Sequence, residues 1–147
     1  MSVDSTTRDS IRPAEAIAGF LAASGLFLGC LLGGATLTEL RQSFAAAEAE
    51  SDKNKWFVAI AVVDSGGSLV AMHRIDNTQL GSIPYAEQKA RSAVLYRRPS
   101  KAFEDAVANG GIGMRVLGLP GATPYDGGVP IMADGKLIGA IGVSGML

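Results

Sequence analysis

The stretch Val58–Asp76, which reads VAIAVVDSGGSLVAMHRID, contains the strongest structural signal in the chain. The run Trp56–Val63 is apolar throughout and rich in β-branched residues, which predicts a central strand buried on both faces. Residues Asp64–Gly67 have the composition of a turn, and Ser68–Arg74 returns as a second strand. The stretch therefore predicts a β-hairpin at the centre of an antiparallel sheet.

A second hairpin is predicted near the end of the sequence. The apolar runs Val129–Ala133 and Lys136–Ser144 are separated by Asp134-Gly135, a pair that accepts positive φ at both turn positions. Three glycines of the last run have no helix after them, so they predict close packing in the hairpin rather than a nucleotide-binding loop: Gly139, Gly142 and Gly145.

Helices are predicted before and between the two hairpins. A capping-box pattern from Thr36 to Glu39 opens a helix over residues 37–51. A second helix is predicted over residues 82–95, with Ser82 as its cap, and a third follows Pro99 and Ser100. A glycine-rich connection then leads to the second hairpin. This order predicts an α+β fold, an antiparallel sheet flanked by helices.

The first part of the chain, residues 1–34, is predicted to be an extension preceding a domain over residues 35–147. Its uncharged stretch, Ala16–Thr38, is long enough to span a bilayer as a helix. One interpretation is a secretory signal or membrane anchor, and the other is an Ala/Gly/Leu helix packed on the domain. Export and membrane contact follow only from the first interpretation, whereas a packed helix favours a cytoplasmic protein.

The composition excludes several classes of function. With 13 basic and 14 acidic residues, the net charge is −1, so nucleic-acid binding is not indicated. One cysteine excludes an intramolecular disulfide framework and a zinc site built from cysteines. One histidine likewise excludes a metal cluster built from several imidazoles.

Three blocks of the sequence resemble the GlcG/HbpS family, which also supplies the C-terminal domain of PduO-type proteins. They are Val58–Asp76, quoted above, Tyr85–Val94 (YAEQKARSAV) and Tyr125–Gly145 (YDGGVPIMADGKLIGAIGVSG). The blocks occur in the family's order and spacing. The resemblance implies a compact domain that assembles into homo-oligomers and that, in some members, binds haem.

The sequence departs from the family pattern after its last block. Family members continue with an acidic segment and a final helix, whereas the sequence given reaches Leu147. Residues 9–23 resemble that final helix in composition. We hypothesise a circularly permuted arrangement in which residues 9–23 occupy its place on the sheet.

His73 is the candidate metal ligand. It is the one imidazole of the chain and stands at the end of the second predicted strand. The family resemblance implies haem as the cofactor of some members, not all of which hold it through histidine. As a haem ligand, His73 would coordinate the iron through a neutral ring nitrogen, with Arg74 near a propionate. A half-exposed histidine at a strand end, without a ligand, is the alternative.

A second set of residues is assigned to ligand binding. Arg74 and Asp76 are two positions apart, which on an extended chain directs both side chains to one pocket, or forms a structural ion pair. Lys89 stands among alanines, where it contacts a haem propionate or substrate carboxylate, or else is an ordinary surface lysine. Gly127 and Gly128 either present backbone N–H groups to a ligand or serve as bends and close packing in the second hairpin.

Two classes of function follow. The preferred one is a ligand-binding protein that carries or senses haem or a related tetrapyrrole, since no nucleophile is paired with a base in the local sequence and no catalytic residue is assigned. Met72, Ile75, Tyr85 and Met132 are candidates for its apolar slot. The alternative is a small enzyme acting on a small carboxylate or hydroxy acid through Arg74, Asp76 and Lys89.

Overall fold

The computed structural model describes residues 36–145. The predicted extension over residues 1–34, most of the stretch Ala16–Thr38 and the hypothesised helix 9–23 lie outside the described residues, so these expectations stay predictions. The elements are α1 (Thr36–Asn54), β1 (Val58–Asp64), β2 (Leu69–Arg74), α2 (Ser82–Tyr96), α3 (Lys101–Ala108), a 3₁₀ helix (Gly111–Gly118), β3 (Gly128–Ala133) and β4 (Lys136–Gly145). Between residues 36 and 145, no helix is both long and apolar enough to cross a membrane.

The four strands form one antiparallel sheet in the order β2-β1-β4-β3. The two hairpins therefore lie side by side, and β1 and β4, the inner strand of each, pair with one another from Val58–Gly145 to Asp64–Gly139. The burial of β1 follows from this position, since its first six residues are all buried. The predicted central strand and the predicted α+β fold are confirmed.

Helices cover both faces of the sheet. One face of β1 packs against α1 through a cluster that includes Leu40, Ala47, Val58, Ile60 and Val62. The other face packs against α2 through the small residues Ala59, Ala61, Ala86, Ala90 and Ala93, together with Val63. Because successive side chains of a strand point to opposite faces, the apolar run of β1 supplies both cores.

The close approach of α2 to β4 depends on Gly142. A Cβ built on this residue would stand 2.0 Å from the carbonyl oxygen of Ala86 and 2.7 Å from the amide nitrogen of Ala90. Gly139 is equally crowded on the other side, where a Cβ would stand 2.7 Å from a methyl of Leu40. The prediction that these glycines serve close packing is therefore confirmed.

The start of α2 differs from the prediction. Ser82 does not cap the helix, because Gly81 occupies the cap position and no side chain bonds there. The Ser82 side chain is buried instead, and its backbone N–H is satisfied by the carbonyl of Gln79 in the preceding turn.

The 3₁₀ helix is a second difference, since it forms within the glycine-rich stretch predicted as a connection. The Asp134-Gly135 turn is as expected, with φ of 48° and 73°.

Candidate functional site

Lys89 is a buried amine on the face of α2 that packs against the sheet. Only 9% of its surface is exposed, and its Nζ donates a 3.1 Å hydrogen bond to the carbonyl oxygen of Val143 in β4. Gly127 passes directly beside it, since a Cβ on this residue would stand 3.1 Å from the Lys89 Nζ. Its φ of 121° lies in the region that favours glycine. The backbone N–H groups of Gly127 and Gly128, predicted to face a ligand, donate within the protein instead, to the side chains of Asp126 and Ser100.

The loop over Lys89, residues 123–128, is anchored by Ser100. The Ser100 Oγ donates a 2.6 Å hydrogen bond to the carbonyl oxygen of Tyr125 and accepts one of 2.8 Å from the N–H of Gly128. At the other end of the loop, the N–H of Thr123 donates to the Oγ of Ser92 in α2. These bonds hold the loop in one conformation against two helices.

Two carboxylates accompany the buried amine. Glu104 in α3 accepts a 2.7 Å hydrogen bond from the backbone N–H of Asp126, and the Asp126 side chain accepts one from the N–H of Gly127. Burial lowers the pKa of Lys89 below its usual value, and the nearby carboxylates of Asp126 and Glu104 offset part of that effect. The cluster of Lys89, Glu104, Asp126 and Gly127 is called the lysine site below.

Tyr85 and Tyr125 lie next to the lysine site. Tyr85 is one helical turn before Lys89 on α2, so the two side chains share a face of the helix. Its ring meets that of Tyr125 edge to face, with 5.6 Å between the ring centres. Both tyrosines are about half exposed. The pair therefore forms an aromatic surface at the solvent side of the loop.

His73 lies on the opposite face of the sheet from Lys89. In β2 it is opposite Ile60, whose side chain belongs to the core beneath α1. Its imidazole is 52% exposed, and its Nδ1 is hydrogen-bonded to a carboxylate oxygen of Glu48 in α1. His73 is therefore held from α1, whereas Lys89 is held by α2 and the loop.

Arg74 and Asp76 lie apart from both the lysine site and the pair formed by His73 and Glu48. Arg74 is opposite Ala59 on the α2 face, and its guanidinium makes a long hydrogen bond of 3.5 Å to the carbonyl oxygen of Thr78. Asp76 follows the end of β2 in a turn and is exposed. No ion pair joins Arg74 to Asp76 in the described part of the chain. Because β2 is the edge strand farthest from β3, Arg74 is also remote from the loop that leads into β3.

The residues predicted for ligand binding thus divide between separate places. Lys89, Gly127 and Gly128 lie together, while His73 belongs to another face, and Arg74 and Asp76 to another edge. Sequence reasoning missed Glu48, Ser100, Glu104 and Asp126. The contacts that bring them to these places join Glu48 to His73, Ser100 to Gly128 and Glu104 to Asp126. Each contact spans 22 to 28 positions along the chain, so no local pattern could identify it.

The fold and these contacts define a class of protein: a small α+β domain with a buried lysine beneath a fixed loop and a single imidazole at the sheet edge. The chain belongs to the family described as haem degrading protein HbpS-like, whose family model matches residues 36–147. The family resemblance deduced from the three sequence blocks is confirmed.

Individual relatives agree with this assignment. Protein GlcG of Escherichia coli strain K12 is 43% identical over 100 residues, which cover 68% of this chain and 73% of that protein. The crystal structure of Klebsiella pneumoniae protein ORFY, of the DUF336 family, superposes with a TM-score of 0.67 at 27% identity and covers 81% of this chain and 83% of its own. The crystal structure of a PduOC:heme complex superposes with a TM-score of 0.63 at 26% identity. The match covers 80% of this chain and 85% of the PduOC chain.

Proposed function

We propose that this protein binds haem through His73 and serves as a haem carrier or sensor. The observation that carries the proposal is the hydrogen bond between the Nδ1 of His73 and Glu48. An ionised carboxylate only accepts hydrogen bonds, so Nδ1 carries a proton and Nε2 is the nitrogen whose lone pair can bind a metal when the ring is neutral. A histidine oriented in this way by a carboxylate is the usual form of a metal-binding imidazole.

The surroundings of His73 suit an apolar macrocycle. Its ring is about half exposed, and the partly buried side chains of Phe44, Val70 and Ile75 belong to the same face of the sheet. Phe44 is one helical turn before Glu48 on α1, so it shares the side of the helix that reaches His73. Apolar walls with a few polar groups are typical of cofactor sites.

Haem fits the ligand set better than a bare metal ion does. Within residues 36–145, no group of three or more His, Cys, Asp or Glu side chains could hold a metal. Haem would bring four nitrogen ligands of its own, so the single imidazole of His73 would be enough to hold its iron. Bound haem would provide a redox-active iron. The family's description as haem degrading and the heme complex of PduOC support haem as the ligand.

The expected contributions of Arg74 and Lys89 to this haem site have less support. His73 projects on the α1 side, whereas Arg74 projects on the α2 side and Lys89 belongs to α2 itself. The enzyme alternative is also weakened as first stated, because Arg74 and Asp76 do not meet Lys89. Assembly into a homo-oligomer stays a prediction.

The test is a haem titration of protein without a polyhistidine tag, followed through the Soret band. We expect saturable binding at one haem per chain for the wild type and loss of the axial histidine signature for His73→Ala. Free imidazole added to His73→Ala should restore the wild-type spectrum, because it replaces the missing ligand.

Lys89→Met is the matched control, since it removes a proposed haem contact from the other face of the sheet. It should bind haem as the wild type does. The proposal is overturned if His73→Ala keeps the wild-type affinity and spectrum, or if the wild type shows no saturable binding.

A further inference from the structure

The buried amine of Lys89 has bonding capacity that the described residues do not use. An amine in this position has up to three N–H donors, and among residues 36–145 its hydrogen-bond acceptor is the carbonyl oxygen of Val143. Nine-tenths of the residue is buried, so unused capacity there is costly unless a small molecule satisfies it. The haem proposal does not involve Lys89.

The charges at the lysine site select the kind of molecule. Glu104 and Asp126 both act on Lys89 electrostatically, and Lys101 pairs with Glu104 and with Asp105, so three carboxylates accompany two amines. This balance disfavours an anionic ligand such as a carboxylate. A neutral molecule with a carbonyl group avoids that repulsion, and its oxygen can accept hydrogen bonds from the site.

The lysine site also contains the groups that carbonyl chemistry needs. A neutral amine is a nucleophile towards a carbonyl carbon, and burial favours the neutral form of lysine. The carboxyl groups of Glu104 and Asp126 can exchange protons nearby. Ser100 and Ser92 fix the loop that carries Asp126, so these groups are positioned before any ligand arrives.

We propose that Lys89 is a reactive amine that forms a reversible imine with small neutral aldehydes. The Nζ lone pair attacks the aldehyde carbon to form a C–N bond, and the carbonyl oxygen gains a proton to give a carbinolamine. The carbinolamine then loses its hydroxyl group with a proton as water, and a C=N bond forms. One aldehyde and one amine thus give one imine and one water, and hydrolysis reverses the reaction.

Access limits the size of the aldehyde. Because only 9% of Lys89 is exposed, the proposal is confined to short aldehydes. The half-exposed Tyr85 and Tyr125 mark the solvent side of the loop. Gly127 keeps a side chain away from the amine, because a Cβ there would stand 3.1 Å from the Nζ.

The test is a competition among the lysines of the folded protein. The chain has five, at positions 53, 55, 89, 101 and 136, and the other four are more exposed than Lys89. The protein is treated near pH 7 with limiting acetaldehyde and sodium cyanoborohydride, which reduces each imine to a stable ethylamine. Peptide mass spectrometry then gives the rate of modification at each lysine.

We expect Lys89 to be modified several-fold faster than each of the other lysines, and this preference to disappear in denaturant. Lys89→Arg should lose this fast modification while the other four lysines react as before. Glyoxylate, an anionic aldehyde, should show a smaller preference for Lys89 than acetaldehyde does.

The opposite ranking overturns the proposal: if Lys89 is the slowest of the five, burial only protects it and its role is structural. An equal or greater preference with glyoxylate overturns the assignment to neutral aldehydes. No haem is present in this experiment, so its result is separate from the test of His73.

Discussion

The Nζ of Lys89 and the carbonyl oxygen of Val143, 3.1 Å apart, join helix α2 to strand β4 by a hydrogen bond between residues 54 positions apart in sequence. Val143 O lies near the end of β4, where the strand pairs with the start of β1. The bond therefore holds a titratable amine between α2 and the sheet, where most of it is buried.

Lys89→Met should change how stability depends on pH. Because burial lowers the pKa of Lys89 in the folded protein, the unfolded chain binds more protons as the pH approaches 10.5, the ordinary lysine value. The wild type should therefore gain free energy of unfolding relative to Lys89→Met as the pH rises from neutrality towards 10.5. Urea unfolding at a series of pH values measures this difference.

Lys53→Met is the matched control, because it removes the same charge from an exposed position. A wild-type-minus-Lys89→Met difference that stays constant with pH would show that burial does not disfavour the charged form of Lys89.

Ser100→Ala should lower the free energy of unfolding by about 1–3 kcal/mol, since it leaves the buried N–H of Gly128 and the partly buried carbonyl of Tyr125 without their partner. Ser65→Ala, in the exposed turn between β1 and β2, should cost less than about 0.5 kcal/mol. Chemical denaturation of both variants gives the comparison. Equal effects would mean that Ser100 does not anchor the loop.

Gly142→Ala should destabilise the domain by about 3 kcal/mol, because its methyl group would overlap the backbone of α2 at Ala86 and Ala90. Gly118→Ala is the control: an added Cβ there meets nothing within 4 Å, and its φ lies outside the left-handed region. Thermal unfolding should separate the two variants clearly. A Gly142→Ala protein as stable as Gly118→Ala would contradict the close approach of α2 and β4.

His73→Ala and Glu48→Gln should each change the free energy of unfolding by less than about 1 kcal/mol, because both side chains are partly exposed and such pairs contribute little. Urea unfolding checks this. The result matters for the haem titration, since it shows that lost binding comes from the lost ligand. A cost of several kcal/mol would instead make the pair part of the structural core.

Much of the fold could be predicted from local patterns. The apolar run of β1, the Asp134-Gly135 pair and the small residues of α2 each determine an element through its own neighbours in sequence. The Ser82 cap failed, because the turn ending at Gly81 already satisfies the first N–H of α2 with a backbone carbonyl. The pattern of residue types does not show whether a side chain or a backbone carbonyl will accept the hydrogen bond from that N–H group.

The candidate sites were predictable only in part. The sequence predicts Lys89 and Gly127 as ligand-binding candidates, and the two residues lie together. It also predicts Arg74 and Asp76 in one pocket, but only by extending strand alternation beyond the end of β2. Strand β2 stops at Arg74, and Asn77 turns the chain with a φ of 66°, so Asp76 no longer follows the alternation.

The sequence by itself determined the four strands, the three α-helices, the Asp134-Gly135 turn and the family to which the chain belongs, because these depend on residues close together along the chain. Only the tertiary structure decided that Glu48 orients His73, that Glu104 and Asp126 accompany Lys89, and that these two groups lie on opposite faces of the sheet. The physical reason is that such contacts arise when α1, α2 and α3 pack on a sheet whose strand order, β2-β1-β4-β3, is set by long-range pairing.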